Sequence, residues 1–484
     1  MAFARQGFTQ TVGHLPVTKP LRAAANIARH EPLPVAVRMN VDVAEPEAGP
    51  RADGSGAGLR MPPGFHRLIA AQFCSALADN ALLIVTIALL QARGLPGWLA
   101  PMLKFASTLS YVVLAPFVGP LADAMPKARL MAWANALKVL ALLGLMAGGH
   151  PLLCFALLGC GAAAYAPAKY GLATELVPAR QLVAANGWIE VSVVGAVLLG
   201  TVLGGLLVSD AAQASAALAL GWLSGWTAPH ALWPALAALL VVYGAASALN
   251  LGLPDSGARY AGTGWHPALL ARQFRAANRV LWADRRGGLS LAVTTLFWGV
   301  GATLQFAVLR WAVDALGMSL ARAATLQAAV AVGVVLGAGV AGRCIALRQA
   351  HRVLPVGVVL GLVIALAALT AGRAAALPML VLIGAIGGLL VVPMNALLQH
   401  RGQQLLTAGR SIAVQNFNEN ASILVMLAAY AGLLALGLAI VPLMALLGLA
   451  TAALVGLLIW RERGATRVDG RSAGAVGVES AAQA

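Results

Sequence analysis

Residues 119–129 read Gly119-Pro120-Leu121-Ala122-Asp123-Ala124-Met125-Pro126-Lys127-Ala128-Arg129. Three charged side chains make this a polar interruption, and the runs on either side, 98–120 and 128–148, are apolar. Each is about as long as the roughly 20 residues that a helix needs to cross a hydrocarbon layer about 30 Å thick. The stretch therefore reads as a tight turn between two membrane spans. Working outward gives ten more runs of the same kind, at 66–92, 151–174, 183–208, 231–253, 289–315, 322–343, 353–371, 376–398, 411–434 and 438–460. All twelve are predicted as helices, because backbone left unpaired in hydrocarbon finds no water to bond. The apolar region 209–230 is broken by Ser, Gly and Pro. It reads as a loop in which Trp222 and Trp226 anchor at the membrane interface.

Composition agrees. Of 484 residues, 60% are hydrophobic and 10% charged, against about 25% charged in soluble domains. The net charge of +16 is informative through its placement. With both ends cytoplasmic, only Arg93, Arg322 and Arg373 fall in outside loops, and Lys104, Lys138, Lys169 and Arg310 fall within spans. The rest of the 33 Lys and Arg lie in cytoplasmic segments, as the positive-inside rule requires. The basic patch Arg272–Arg286 is part of that signal, and no nucleic-acid partner is expected. The four cysteines, Cys74, Cys154, Cys160 and Cys344, lie in or beside apolar runs without zinc spacing. They read as small buried hydrophobes, and no metal is expected.

The chain divides into a flexible cytoplasmic N-terminal arm (1–65), a six-helix bundle (66–253), a basic cytoplasmic linker (254–288), a second six-helix bundle (289–460) and a disordered cytoplasmic tail (461–484). The arm carries eight prolines and no apolar signal-peptide core. Met39 and Met61 within it offer later start positions, an expectation that N-terminal sequencing checks. The halves echo one another at a spacing of roughly 225 residues. Phe73 matches Phe297, Gly159 matches Gly384, Pro167-Ala168-Lys169 matches Pro393-Met394-Asn395, and Glu190 matches Glu419. An all-α integral membrane protein with two pseudo-symmetric bundles around a central pathway is implied. Small residues spaced four apart, Gly200/Gly204, Gly333/Gly337 and Gly384/Gly388, would let helices approach closely. Gly337–Gly342 fits G-x-G-x-x-G, but it lies inside an apolar run with no preceding strand. No nucleotide or other cofactor is expected.

A charge at mid-bilayer costs about 2.5–3.5 kcal/mol on insertion scales, so it faces a cavity or a partner. Asp79, followed by Asn80, lies in the middle of the first span. Lys104, Lys138 and Lys169 lie in spans two to four, Gln305 and Arg310 in the seventh, and Asn395 in the tenth. Lys104 and Lys138 read first as structural counter-charges. Asp79 and Lys169 read as substrate contacts, together with Asn80, Gln305 and Asn395. Glu190 and Glu419 sit where a carboxylate could pair with loop arginines and latch a gate. No histidine lies deep in a span, which argues against a histidine proton relay.

Residues 119–129 resemble the loop motif of the major facilitator superfamily, G-x-x-x-D-x-x-x-[RK]-x-[RK], with Gly119, Asp123, Lys127 and Arg129 in its fixed positions. Asp123 could cap a helix start or meet an arginine, a contact that must break when the bundles rock. More specifically, residues 66–460 look like the bacterial lysophospholipid transporters of that superfamily. The blocks that carry the likeness are Gln72–Leu82, Ala115–Gly119, Ala163–Gly171 with Pro167-Ala168-Lys169-Tyr170-Gly171, Leu296–Gly301, Val392–Gln399, and Ala413–Asn416 with Glu419-Asn420. The resemblance implies a flippase that moves lysophosphatidylethanolamine, and related lysolipids, from the outer to the cytoplasmic leaflet of the inner membrane. A partner acyltransferase would there restore the missing chain. It also implies a monomer working by alternating access without an evident coupling ion. It assigns Asp79 and Lys169 to the head group. A seventh-span arginine of the family is replaced here by Gln305. Arg310, five residues on, is about 140° round the helix, a poor substitute that could shift head-group choice.

The residue types fit such a ligand, since a phosphoethanolamine head offers an anion to Lys169 and a cation to Asp79. The alternative is a proton-coupled exporter of small amphipathic compounds on the same fold, with Asp79 as the titrating group. An enzyme is not expected: no H-x4-D, H-E-x-x-H or G-x-S-x-G in hydrolase context is present.

Overall fold

A computed structural model describes residues 61–96, 99–220, 232–258, 260, 265–318, 320–370 and 372–482. The N-terminal arm up to residue 60, and the tryptophans Trp222 and Trp226, lie outside the described residues. The first half contains α1 (Phe65–Ala92), α2 (Leu99–Ala124), α3 (Lys127–Met146), α4 (Pro151–Leu176), α5 (Leu182–Val208), α6 (Asp210–Leu220) and α7 (Trp233–Leu251). After the linker helix α8 (Pro267–Ala283) the second half contains α9 (Arg285–Asp314), α10 (Leu320–Cys344), α11 (Leu354–Ala368), α12 (Arg373–Leu405), α13 (Ala408–Ala435) and α14 (Ile440–Ala482). Twelve of these are long and apolar enough to cross a membrane; α6 and α8 are not.

Two segments differ from the sequence reading. Region 209–230 begins with helix rather than loop, because α6 follows α5 after a single residue, Ser209. Its 11 residues are too few to span a bilayer. The tail, expected to be disordered, continues α14 as helical backbone to Ala482. Its Ala and Arg residues favour helix, although its four glycines do not. The linker contributes the helix α8. Phe274, Ala277 and Leu281 of α8 pack with Leu291, Leu398 and Val414, while Arg272, Arg275 and Arg279 face outward. Apolar residues at this spacing fill one helix face.

Each half has its own core. Leu82, Leu103, Leu142, Leu236 and Tyr243 close together in the first. Leu304, Val308, Trp311, Ile364 and Met444 do so in the second. Glycines set the closest approaches: Gly333 and Gly337 of α10 lie against the backbone of Val381 and Ala385, and Gly384 and Gly388 of α12 lie against that of Val330 and Val334. Gly200 and Gly204 pack likewise on the carbonyls of Leu77 and Ala81 in α1. A side chain at any of these positions would push the helices apart. Outward-facing Val113, Leu153, Val241 and Val425 are more than half exposed, as lipid-facing residues are in the absence of lipid.

The halves meet along two seams at the end where α2 turns into α3, here called the junction end. On one, Gly119 lies against Arg410 and Ala413, and Gly409 against the Gly119 carbonyl. On the other, Gly187 and Gly342 bring α5 onto α10, within a cluster of Val183, Ala185, Ala338, Ala341, Val392 and Ala396. Toward the opposite end α13 buries no residue beyond Glu419.

Candidate substrate site

The polar interior starts at Asp79. Lys138 Nζ lies 2.6 Å from Asp79 Oδ2 and donates to Ser75 Oγ at 2.9 Å. Tyr243 OH donates to Asp79 Oδ1 at 2.6 Å. Lys138 also lies 5.1 Å over the Tyr165 ring, and Ser75 Oγ donates to Asn135 Oδ1 at 2.9 Å. Lysine 138 is 2% exposed and Asp79 23%. Asp79 is therefore neutralised within the first half, by the residue that the sequence reading took for a counter-charge. It does not pair with Lys169. The sequence gives no sign of Tyr243, a seventh-helix tyrosine in an apolar run.

Lys169 is held differently. Its Nζ donates to Gln72 Oε1 at 3.1 Å and lies 4.2 Å from the Tyr170 ring centroid. Gln72 Nε2 in turn donates to Ser192 Oγ at 2.6 Å, so α4, α1 and α5 are tied through one amide. Among the described residues no carboxylate lies within 4.0 Å of Lys169, although Glu190 and Asp79 interact with it at longer range. Lys169 is thus an interior ammonium with an unneutralised charge, which suits an anion.

Glu190 and Glu419 are not latched by loop arginines. They are 5% and 7% exposed and form no ion pair among the described residues. A fully buried depth, away from the guanidiniums of the junction end, prevents it. The repeat relates the two: α5 brings Glu190 and α13 brings Glu419 to the meeting of the halves, close enough to interact electrostatically. Gln415 Nε2 donates to Glu419 Oε1 at 2.8 Å and to Asn395 Oδ1 at 2.9 Å. One helical turn from Glu190 and from Asn395 stand Asn186 and Gln399, joined across the halves by two reciprocal amide bonds of 2.9 Å. Neither was singled out in the sequence; their signal was a second polar residue four positions from Glu190 and from Asn395.

The remaining candidates fall outside this group. Asn80 turns back on its own helix, donating to the Ala76 carbonyl at 2.8 Å. Gln305 is exposed, and its backbone carbonyl accepts from Gln327 Nε2 at 2.6 Å. Arg310 pairs with Asp314 at 2.9 Å, and Lys104 is exposed.

At the junction end Asp123 meets a helix start rather than an arginine. Oδ1 accepts from Gly409 N at 2.9 Å and Oδ2 accepts from Thr407 Oγ1, so a first-half carboxylate caps α13 of the second half, where the helix dipole favours negative charge. Lys127 turns away to Glu175 at 2.6 Å, and Arg129 is exposed. Two linker residues join that pair: Ser256 Oγ donates to Glu175 at 2.5 Å and Tyr260 OH at 3.4 Å. Burial and the neighbouring Glu175 push the Tyr260 phenol up to about 12, so it keeps its proton and remains a donor. A second tie fixes the start of α9, where Arg401 grips Asp284 with two bonds of 2.8 and 2.9 Å and holds its carboxyl below the ordinary range.

The Asp123 cap is expected to act as a latch. Hydrogen bonds to a charged group contribute about 1.5–3 kcal/mol, so Asp123→Ala should shift the closed-to-open ratio by roughly ten- to a hundredfold. Spin labels at the exposed positions Ala124 and Gln404 would report a longer, broader distance distribution. An unchanged distribution would mean that the cap does not hold the seam.

Two six-helix bundles, packed through glycine seams around buried charges and locked by a carboxylate from one half on a helix of the other, define a membrane carrier. The model of the Major Facilitator Superfamily matches residues 68–425. The lysophospholipid transporter LplT of Pectobacterium carotovorum is 41% identical over 378 residues, covering 78% of this chain and 88% of its own length. That of Yersinia pestis is 42% identical over 375 residues, covering 77% and 87%. The chain belongs to the bacterial lysophospholipid transporter family of the major facilitator superfamily. Among solved structures, the Escherichia coli fucose:proton symporter superposes with a TM-score of 0.63 at 14% identity, covering 82% of this chain and 98% of its own. A bacterial homologue of the iron transporter ferroportin gives 0.60 at 16%, covering 83% and 99%. At such identities these two speak for the fold alone.

Proposed function

We propose that this protein carries lysophospholipids, lysophosphatidylethanolamine foremost, from the outer to the cytoplasmic leaflet of a bacterial inner membrane by alternating access. The observation that carries this reading is the 41% identity, over 78% of the chain, to a transporter named for that substrate. The interior chemistry supports it: Lys169 offers an unneutralised cation to a phosphate, while the apolar helices suit an acyl chain. The distribution of basic residues supports a cytoplasmic location for both termini and the junction end. In this reading the protein works as a monomer and delivers its cargo to a separate acyltransferase for reacylation. An exporter that titrates Asp79 fits less well, because that carboxylate is tied to Lys138 and Tyr243.

Uptake of labelled lysophosphatidylethanolamine into spheroplasts tests the reading. Accumulation should depend on expression of the protein, persist after an uncoupler, and fail with the diacyl lipid. Background-level uptake, together with drug resistance on overexpression, would favour the exporter instead.

A further inference from the structure

The group around Glu190 and Glu419 holds more hydrogen-bond acceptors than donors. Gln415 uses both amide hydrogens, one on Glu419 Oε1 and one on Asn395 Oδ1. Its own Oε1 is buried with no partner, on a residue 6% exposed. Glu190, 5% exposed, receives no hydrogen bond and makes no ion pair among the described residues. Around these carboxylates stand Lys169 and Tyr170 on α4, Thr294 on α9, Asn395 on α12 and, farther off, Asp79 on α1. Lys138 lies near Lys169 but is taken up by Asp79, so among the described residues Lys169 is the one cation that acts on Glu190, and the two form no ion pair. Buried acceptors without donors are costly, so the group needs a ligand that brings both N–H bonds and positive charge.

Building on the proposed transport of lysophospholipids, we propose that Glu190, Glu419 and Gln415 Oε1 form the acceptor site for the primary ammonium of a phosphoethanolamine head, with Lys169 taking the phosphate. A primary ammonium carries three N–H donors and one positive charge, which meets the deficit from both sides. A quaternary ammonium has the charge but no N–H, and a glycerol head has hydroxyls but no charge. Lys169 and Glu190 interact without forming an ion pair, so each can serve a different end of the head group. Asp79, already satisfied by Lys138 and Tyr243, then orients the first half rather than binding the amine. The site also spans the halves, one turn from the Asn186–Gln399 bridge, so an amine bound there touches both bundles.

The test is uptake of lysophosphatidylethanolamine and lysophosphatidylglycerol into proteoliposomes by wild type, Glu190→Gln, Glu419→Gln and the double variant. The ratio of ethanolamine to glycerol lipid uptake should fall at least about tenfold in the double variant. Thermal midpoints should stay at or above that of wild type, because each substitution removes a buried carboxylate that has no ion pair among the described residues. An equal fall for both lipids, an unchanged ratio, or lowered midpoints would overturn the ammonium site while leaving the transporter reading intact. Wild type that carries neither lysolipid would overturn the transporter reading and this site with it.

Discussion

Lys138→Met should be the most destabilising single substitution in the polar interior. It would leave the Asp79 carboxylate with only the Tyr243 hydroxyl, and breaking a buried ion pair from one side costs about 3–5 kcal/mol. That is a large share of the roughly 5–15 kcal/mol that separates folded from unfolded protein. The expected result is a sharp fall in the detergent melting midpoint and in the yield of monodisperse protein. Adding Asp79→Asn should restore most of both, because the double variant buries no charge in that pair. Failure of the second substitution to rescue the first would show that Lys138 is held by something other than Asp79. Uptake by the rescued double variant also decides what Asp79 does. Retained transport assigns it to architecture, and lost transport returns it to the head group.

Lys169→Met should behave in the opposite way, with stability kept and transport lost. Lys169 has no carboxylate within 4.0 Å among the described residues, and its hydrogen bond is to a neutral amide, Gln72. Removing it breaks no direct ion pair and removes one buried cation, so the melting midpoint should hold or fall far less than in Lys138→Met. Losing one side of a charge-assisted contact with a phosphate costs about 2–5 kcal/mol, so uptake should fall at least about thirtyfold. Lys169→Arg should recover part of it, since a guanidinium also binds phosphate. A Lys169→Met variant that unfolds, or one that transports normally, would remove this residue from the substrate site. The two lysines thus separate cleanly: one melts the protein, the other silences it.

The difference between them was not legible in the sequence. Both are lysines within spans of the first half, and Asp79 could have paired with either. Helical periodicity places each lysine on a face, but the rotation of α3 and α4 about α1 decides which ammonium reaches the carboxylate. That rotation is set by packing. Similarly, Glu190 and Glu419 were visible as repeat-related acids, yet their neighbours at the junction end suggested arginine latches. Only the packing of α5 against the second half carries them inward, out of reach of those arginines. Asp123 was legible as a helix cap, but not that the capped helix belongs to the opposite half.

The sequence alone determined the membrane location, the number of spans and the two-bundle plan. Those depend on the length of apolar runs, the placement of basic residues and a repeat, all of which are local or additive along the chain. It also marked which polar side chains are out of place in hydrocarbon. Tertiary structure alone decided their pairings, because a charge is neutralised by whichever group lies within a few ångströms, and that group can be 59 positions away, as Lys138 is from Asp79, or 213, as Gln399 is from Asn186.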